Sequence, residues 1–118
     1  MKFKNVVFLE GRIGDDYKQM RTKEGRIFIT FTLIVRSFDK DFSDNTERKI
    51  DIYIRIMVFD NKLIKYLERV GAKNGNWVSI MGRINTYQKE IDDQFYSFID
   101  VVVRDINILK TIKDEEEQ

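Results

Sequence analysis

Tyr53, Arg55, Met57 and Phe59 occupy alternate positions of the segment KIDIYIRIMVFD, which runs from Lys49 to Asp60. Alternate residues of an extended chain share one face and lie about 6 to 7 Å apart. Two flat rings beside a guanidinium on such a face form a stacking platform edged with positive charge. Unstacked bases suit it, because every base has a π-face and stacking contributes roughly 1 to 3 kcal/mol per base whatever the sequence. A cation beside the rings adds a salt-sensitive attraction for a phosphate backbone. The competing use of the same face is packing against a partner subunit.

A strand must carry this row, and the pattern supplies one. The even positions Ile50, Ile52, Ile54, Ile56 and Val58 are unbroken apolar residues, expected to be the buried face. Alternation also marks strands over Val6–Ile13, closed by Gly14 and Asp15, and over Ile27–Arg36. The period then changes in DNKLIKYLERVGAKNG, where Leu63, Ile64, Leu67 and Val70 share a helical face between an N-cap at Asp60 and a stop at Gly71. Trp77–Tyr87 reads as a fourth strand, and QKEIDDQ turns the chain into a fifth at Phe95–Val103. Phe8, Phe28, Phe31 and Tyr66 are expected in the core or in helix packing. Trp77 is out of phase with Val78 and Ile80 and is read equally as functional or as a cap on the barrel.

Three strands, one helix and two strands give the order of an all-β, five-stranded OB-fold barrel with its helix between strands three and four. An SH3-like barrel is the rival. Gly11, Gly14 and Gly82 fall where a small barrel must bend sharply.

Composition removes most enzymatic chemistry. The 118 residues include no cysteine and no histidine, so disulfides, thiolate metal sites, histidine bases and nearly all zinc sites drop out. No cofactor is expected. Metal-assisted phosphodiester cleavage needs two or three converging acids. The neighbouring pairs Asp15–Asp16 and Asp92–Asp93 point to opposite sides in extended chain, so the protein is read as no enzyme. No apolar run is long enough for a membrane span or a signal peptide, and a cytoplasmic protein is expected. The net charge of +1 hides an uneven distribution. Four of the twenty acids lie in the closing DEEEQ, leaving residues 1–113 with 21 basic against 16 acidic side chains. The expected organisation is one domain over residues 1–110 and a short acidic tail over 111–118.

The segments VVFLEGRIGDD, GRIFITFTLIVRS, DIYIRIMVFDNKLIKYLERV, GNWVSIMGRINTY and FYSFIDVVVRDINIL, taken in this order, resemble the single-stranded DNA-binding protein family of bacteria and their phages. The most specific parts are the Gly11 and Gly14 pair, the run Tyr53-x-Arg55-x-x-x-Phe59-x-x-Lys62, and Gly-Asn-Trp-Val-x-x-x-Gly ending at Gly82. The resemblance implies that Tyr53 and Phe59 stack bases while Arg55 and Lys62 track the backbone. It also implies that the loop RSFDKDFSDNTER wraps the strand, with Phe38 near its start, and that Tyr87 and Lys89 contribute from the second long loop. Tyr96 and Phe98 line the same groove or a subunit interface. Arg36, Arg83 and the basic residues Lys18, Arg21 and Lys23 of the first connecting loop complete the expected contact set.

The function expected on this basis is sequence-nonspecific binding of single-stranded DNA in replication, recombination or repair. Expected partners are the DNA, further copies in a homotetramer or dimer, and replication or recombination proteins. The abbreviated tail points to a phage-encoded member. Lacking an apolar tip, Asp114, Glu115, Glu116 and Glu117 are expected to compete weakly with DNA for the basic groove rather than to dock proteins. The alternative is an OB module that binds structured RNA or a protein.

Overall fold

The computed structural model describes residues 4–41 and 46–110, with residues 38–41, 46–47 and 110 described by backbone alone. The chain runs β1 (Val7–Ile13), β2 (Lys18–Arg21), β3 (Ile27–Asp41), β4 (Thr46–Val58), α1 (Asn61–Val70), β5 (Trp77–Ile91) and β6 (Gln94–Lys110). The strands lie in the order β1-β5-β6-β4-β3-β2, and an added β1–β3 pairing closes a barrel. All pairings are antiparallel except β4 with β6. The OB-type barrel expected from the element order is therefore present, with its helix between the long central strand and the final hairpin.

Several expectations change in detail. The first connecting segment is not all loop: Lys18 and Arg21 sit on β2, an added strand paired with β3 through Lys18↔Thr30 and Arg21↔Ile27, and only Lys23 lies in the turn. The segment RSFDKDFSDNTER is mostly strand, because β3 and β4 stay paired out to Asp41↔Thr46; residues 42–45 lie outside the described residues. The acidic tail does so too. At the far hairpin Asp92 and Asp93 both take positive φ, 51° and 64°, as a two-residue turn matched to strand twist requires.

The core gathers Ile13, Phe31, Leu33, Ile56, Val58, Val78, Ile80 and Ile106, capped by Ile64 and Leu67 of the helix. Asp60 caps α1 by accepting from the backbone N–H groups of Lys62 and Leu63, and Gly71 ends it in the left-handed conformation. The apolar row of β4 is only half buried. Ile56 and Val58 are inside, whereas Ile50 and Ile52 remain 40% and 45% exposed because that end of β4 runs past the barrel as a ribbon with β3. Val70 is likewise exposed, and Phe8, expected in the core, is 75% exposed. Among the described residues no helix is long and apolar enough to cross a membrane.

One carboxylate braces the barrel where β1 gives way to β2. Asp16 accepts the Thr32 backbone N–H and the Thr32 hydroxyl, both at 2.7 Å, and lies 3.8 Å from the Arg55 guanidinium. Burial raises its pKa, but the Thr32 hydrogen bonds, helped by Arg55, outweigh that effect and hold it below the ordinary value. A carboxyl depressed in the folded state stabilises the fold above its unfolded pKa, and this contribution is lost as pH falls through the folded value. Asp16→Asn is therefore expected to cost about 1 to 3 kcal/mol at neutral pH and to flatten the loss of stability below pH ~4, as read from urea unfolding at pH 7 and pH 3.

Candidate nucleic-acid interface

The outward row of β4 lies across two grooves. The first, about 450 Å³, is lined from β2 by Lys18 and Met20, from β3 by Phe28 and Thr30, and from β4 by Arg55 and Met57 with Phe59 just beyond. Asn85, Tyr87, Asp100 and Val102 complete it from the last hairpin. The second, about 550 Å³, is lined by Glu10 and Arg12 of β1, Ile34 and Arg36 of β3, Asp51 and Tyr53 of β4, and Trp77 of β5. Alternation places all of these β4 residues opposite the buried Ile56 and Val58, and pairing through Tyr53↔Ile34, Arg55↔Thr32 and Met57↔Thr30 extends the row onto β3.

The rings differ in how open they are. Tyr53 is 66% exposed and has no ring neighbour within stacking distance among the described residues. Phe59 is partly buried: its ring centroid is 5.2 Å from that of Phe28, and the Arg26 guanidinium lies 5.2 Å over its ring. Tyr87 stacks on Phe98, centroids 5.4 Å apart and planes within 21°. Trp77 carries Arg12 over its ring at 4.7 Å and shares the second groove with Tyr53, so it faces outward rather than closing the barrel.

The cations are held in distinct ways. Arg55 donates from Nη1 to the Thr30 hydroxyl at 3.3 Å, and Asp16 steadies it from the side. Arg36 donates from Nε and Nη2 to the two oxygens of Asp51 at 2.8 and 3.2 Å, which holds the Asp51 carboxyl below the usual carboxylate range. Lys18 lines the first groove, and Arg83 pairs with Val102 on the face that carries Asn85 and Tyr87.

Other expected contact residues stand apart from the grooves. Lys62 is exposed on the first turn of α1, Lys89 lies out along the β5–β6 ribbon opposite Tyr96, and Lys23 is in the β2–β3 turn. Arg21 donates to the Gly25 carbonyl at 3.2 Å. Phe38 pairs with Lys49 in the β3–β4 ribbon, but its side chain lies outside the described residues.

Sequence reasoning missed Arg26, Arg12, Asn85 and Asp100, and placed Phe28 in the core alone. Phe28 is buried, yet it backs Phe59 and lines the first groove. Counting the β3–β4 register outward from their hairpin would have set it beside Phe59. Among the described residues no three acids gather as a metal site.

Solved structures share this architecture. A Plasmodium falciparum SSB in complex with ssDNA superposes with a TM-score of 0.82 at 22% identity, over 93% of this chain and 98% of that one. A deletion mutant of the Thermus aquaticus single-stranded DNA-binding protein gives 0.75 at 22%, over 94% of this chain but 53% of that one. The mitochondrial single-stranded DNA-binding protein of S. cerevisiae gives 0.68 at 21%, over 93% and 98%. At such identities the likeness establishes the fold. No curated protein matches in sequence. The model of the single-strand binding protein family, however, matches residues 4–109, nearly the whole of the barrel and both of its grooves, and the chain belongs to that family.

Proposed function

We propose that this protein binds single-stranded DNA without regard to sequence, along the outward row of β4, and that it serves replication, recombination or repair as a binder rather than an enzyme. The observation that carries this reading is the exposed Tyr53 in line with Arg55 and Phe59 across the two grooves. Bases stack on Tyr53, and Trp77 and Tyr87 offer further faces in the same grooves. At Phe59 the Arg26 guanidinium already covers the ring, so a base stacks there as Arg26 swings onto a phosphate. Arg55, Lys18, Arg36 and Arg83 track the backbone beside the rings. Lys62, Lys89, Arg21 and Lys23 extend that track as the strand leaves the grooves, and Phe38 contributes from the β3–β4 ribbon. A homotetramer, or a dimer, fits the apolar side chains left exposed at Phe8, Ile50 and Ile52.

Titration of Trp77 fluorescence with oligo-dT and with a duplex of equal length tests the reading. Oligo-dT is expected to bind orders of magnitude more tightly. Equal affinity would favour recognition of duplex shape and exclude this mechanism. On a log–log plot affinity should fall linearly with salt, with a slope of about −0.7 per phosphate neutralised. Arg55→Ala should make the slope shallower by roughly that amount, and an unchanged slope removes Arg55 from the phosphate track.

A further inference from the structure

Asp100 places an acidic side chain on the floor of a groove that otherwise suits a polyanion. Along β6 the neighbouring Val101 and Val103 face the core, so Asp100 and Val102 face the first groove, which both of them line. The residue is only 5% exposed, and its Oδ1 is shut off from solvent with no hydrogen-bond partner. Its register neighbours do not supply one. Arg55, opposite it across the parallel pairing, is turned to Thr30 and Asp16, and Asn85, opposite it on β5, makes no bond to it.

A carboxylate withdrawn from water without a donor is costly, and it repels any phosphate brought near. Once the carboxyl turns Oδ1 toward the groove, a ligand that delivers a neutral N–H to it removes the first penalty without incurring the second. On β5, Tyr87 lies two residues from Asn85, the register partner of Asp100, and lines the same groove, so a base held by Tyr87 reaches over the carboxyl. Cytosine, adenine and guanine carry an exocyclic amino donor, whereas thymine and uracil place a carbonyl oxygen, an acceptor, at the pyrimidine 4-position. We propose that Asp100 accepts a hydrogen bond from the exocyclic amino group of a base seated in this groove. Binding that is indifferent to sequence in its stacking is thereby biased toward amino-bearing bases. This rests on the single-strand reading above.

Oligo-dC and oligo-dU of one length share a backbone and closely similar π-faces, and differ in the amino or carbonyl group at position 4 and in the adjoining ring nitrogen. At pH 8 and fixed salt the unaltered full chain is expected to bind oligo-dC about tenfold more tightly. Oligo-dC bearing N4,N4-dimethylcytosine should lose that advantage, and Asp100→Asn, equal in size, should bring the dC-to-dU ratio close to one with the salt slope unchanged. A ratio near one in the unaltered protein overturns the proposal, and so does a preference that survives dimethylation or the Asn substitution. Should Asp100→Asn fail to fold, the dimethylated oligonucleotide decides the matter on the unaltered protein. Failure to bind either oligonucleotide overturns the single-strand reading itself.

Discussion

The double substitution Tyr53→Ala, Phe59→Ala is expected to weaken binding of oligo-dT by about 2 to 6 kcal/mol, roughly thirtyfold at the least. Tyr53 on β4 and Phe59 one residue past its end are six residues apart, or about 20 Å along an extended chain, far enough for their effects to add. Tyr53→Ala is the cleaner of the two. Tyr53 is open to solvent and supports nothing in the core, whereas truncating Phe59 also exposes Phe28 and releases Arg26. The single variants should therefore differ in stability, with Tyr53→Ala close to the parent protein and Phe59→Ala measurably below it. Fluorescence titration together with the mass in solution separates the outcomes. Normal DNA affinity, or dissociation into smaller species, would mean that the β4 row is a subunit contact and not a platform.

The largest effect on stability is expected from Gly82→Ala. A Cβ at this position would stand 2.4 Å from the Val102 carbonyl oxygen and 2.9 Å from a Val101 methyl. The obstructing oxygen belongs to backbone in the β5–β6 pairing, where the register already shifts between Met81 and Gly82, so relief means parting the two strands. A cost of about 3 kcal/mol or more follows, a large share of the 5 to 15 kcal/mol typical of a whole domain. Gly25→Ala is the internal comparison. It meets no atom within 4 Å and suffers only from its φ of +86°, at a cost of about 1 to 2 kcal/mol. Urea midpoints for the two variants should rank in that order, and equal midpoints would show that the barrel yields at Gly82 without resistance.

Period-2 alternation made the strands legible, and the Asp60 and Gly71 caps fixed the helix to within a residue. The placement of Tyr53, Arg55 and Phe59 on one face followed from the same count. Alternation tells which face a residue occupies but not what covers that face. Ile50 and Ile52 share the inward phase of Ile56 and yet are exposed, because the barrel ends before they do. Phe8 was misplaced for a different reason: its own strand sets it in phase with Glu10 and Arg12, and its aromatic character outweighed that pattern. Strand β2, four exposed residues reading KQMR, has no apolar alternation at all and exists through its pairing with β3. The orphaned oxygen of Asp100 depends on three strands meeting, which no local pattern records.

The barrel is closed by two short seams, Arg12↔Ile34 and Ile13↔Leu33 between β1 and β3, and Arg55↔Asp100 to Met57↔Val102 between β4 and β6. One groove lies over each of them. Strands joined by so few rungs are where a closed sheet breathes, while the long β3–β4 and β5–β6 hairpins hold. A polymer laid along the β4 row would cross both seams, fastening the two closures at once and restricting the opening motions of the barrel from outside.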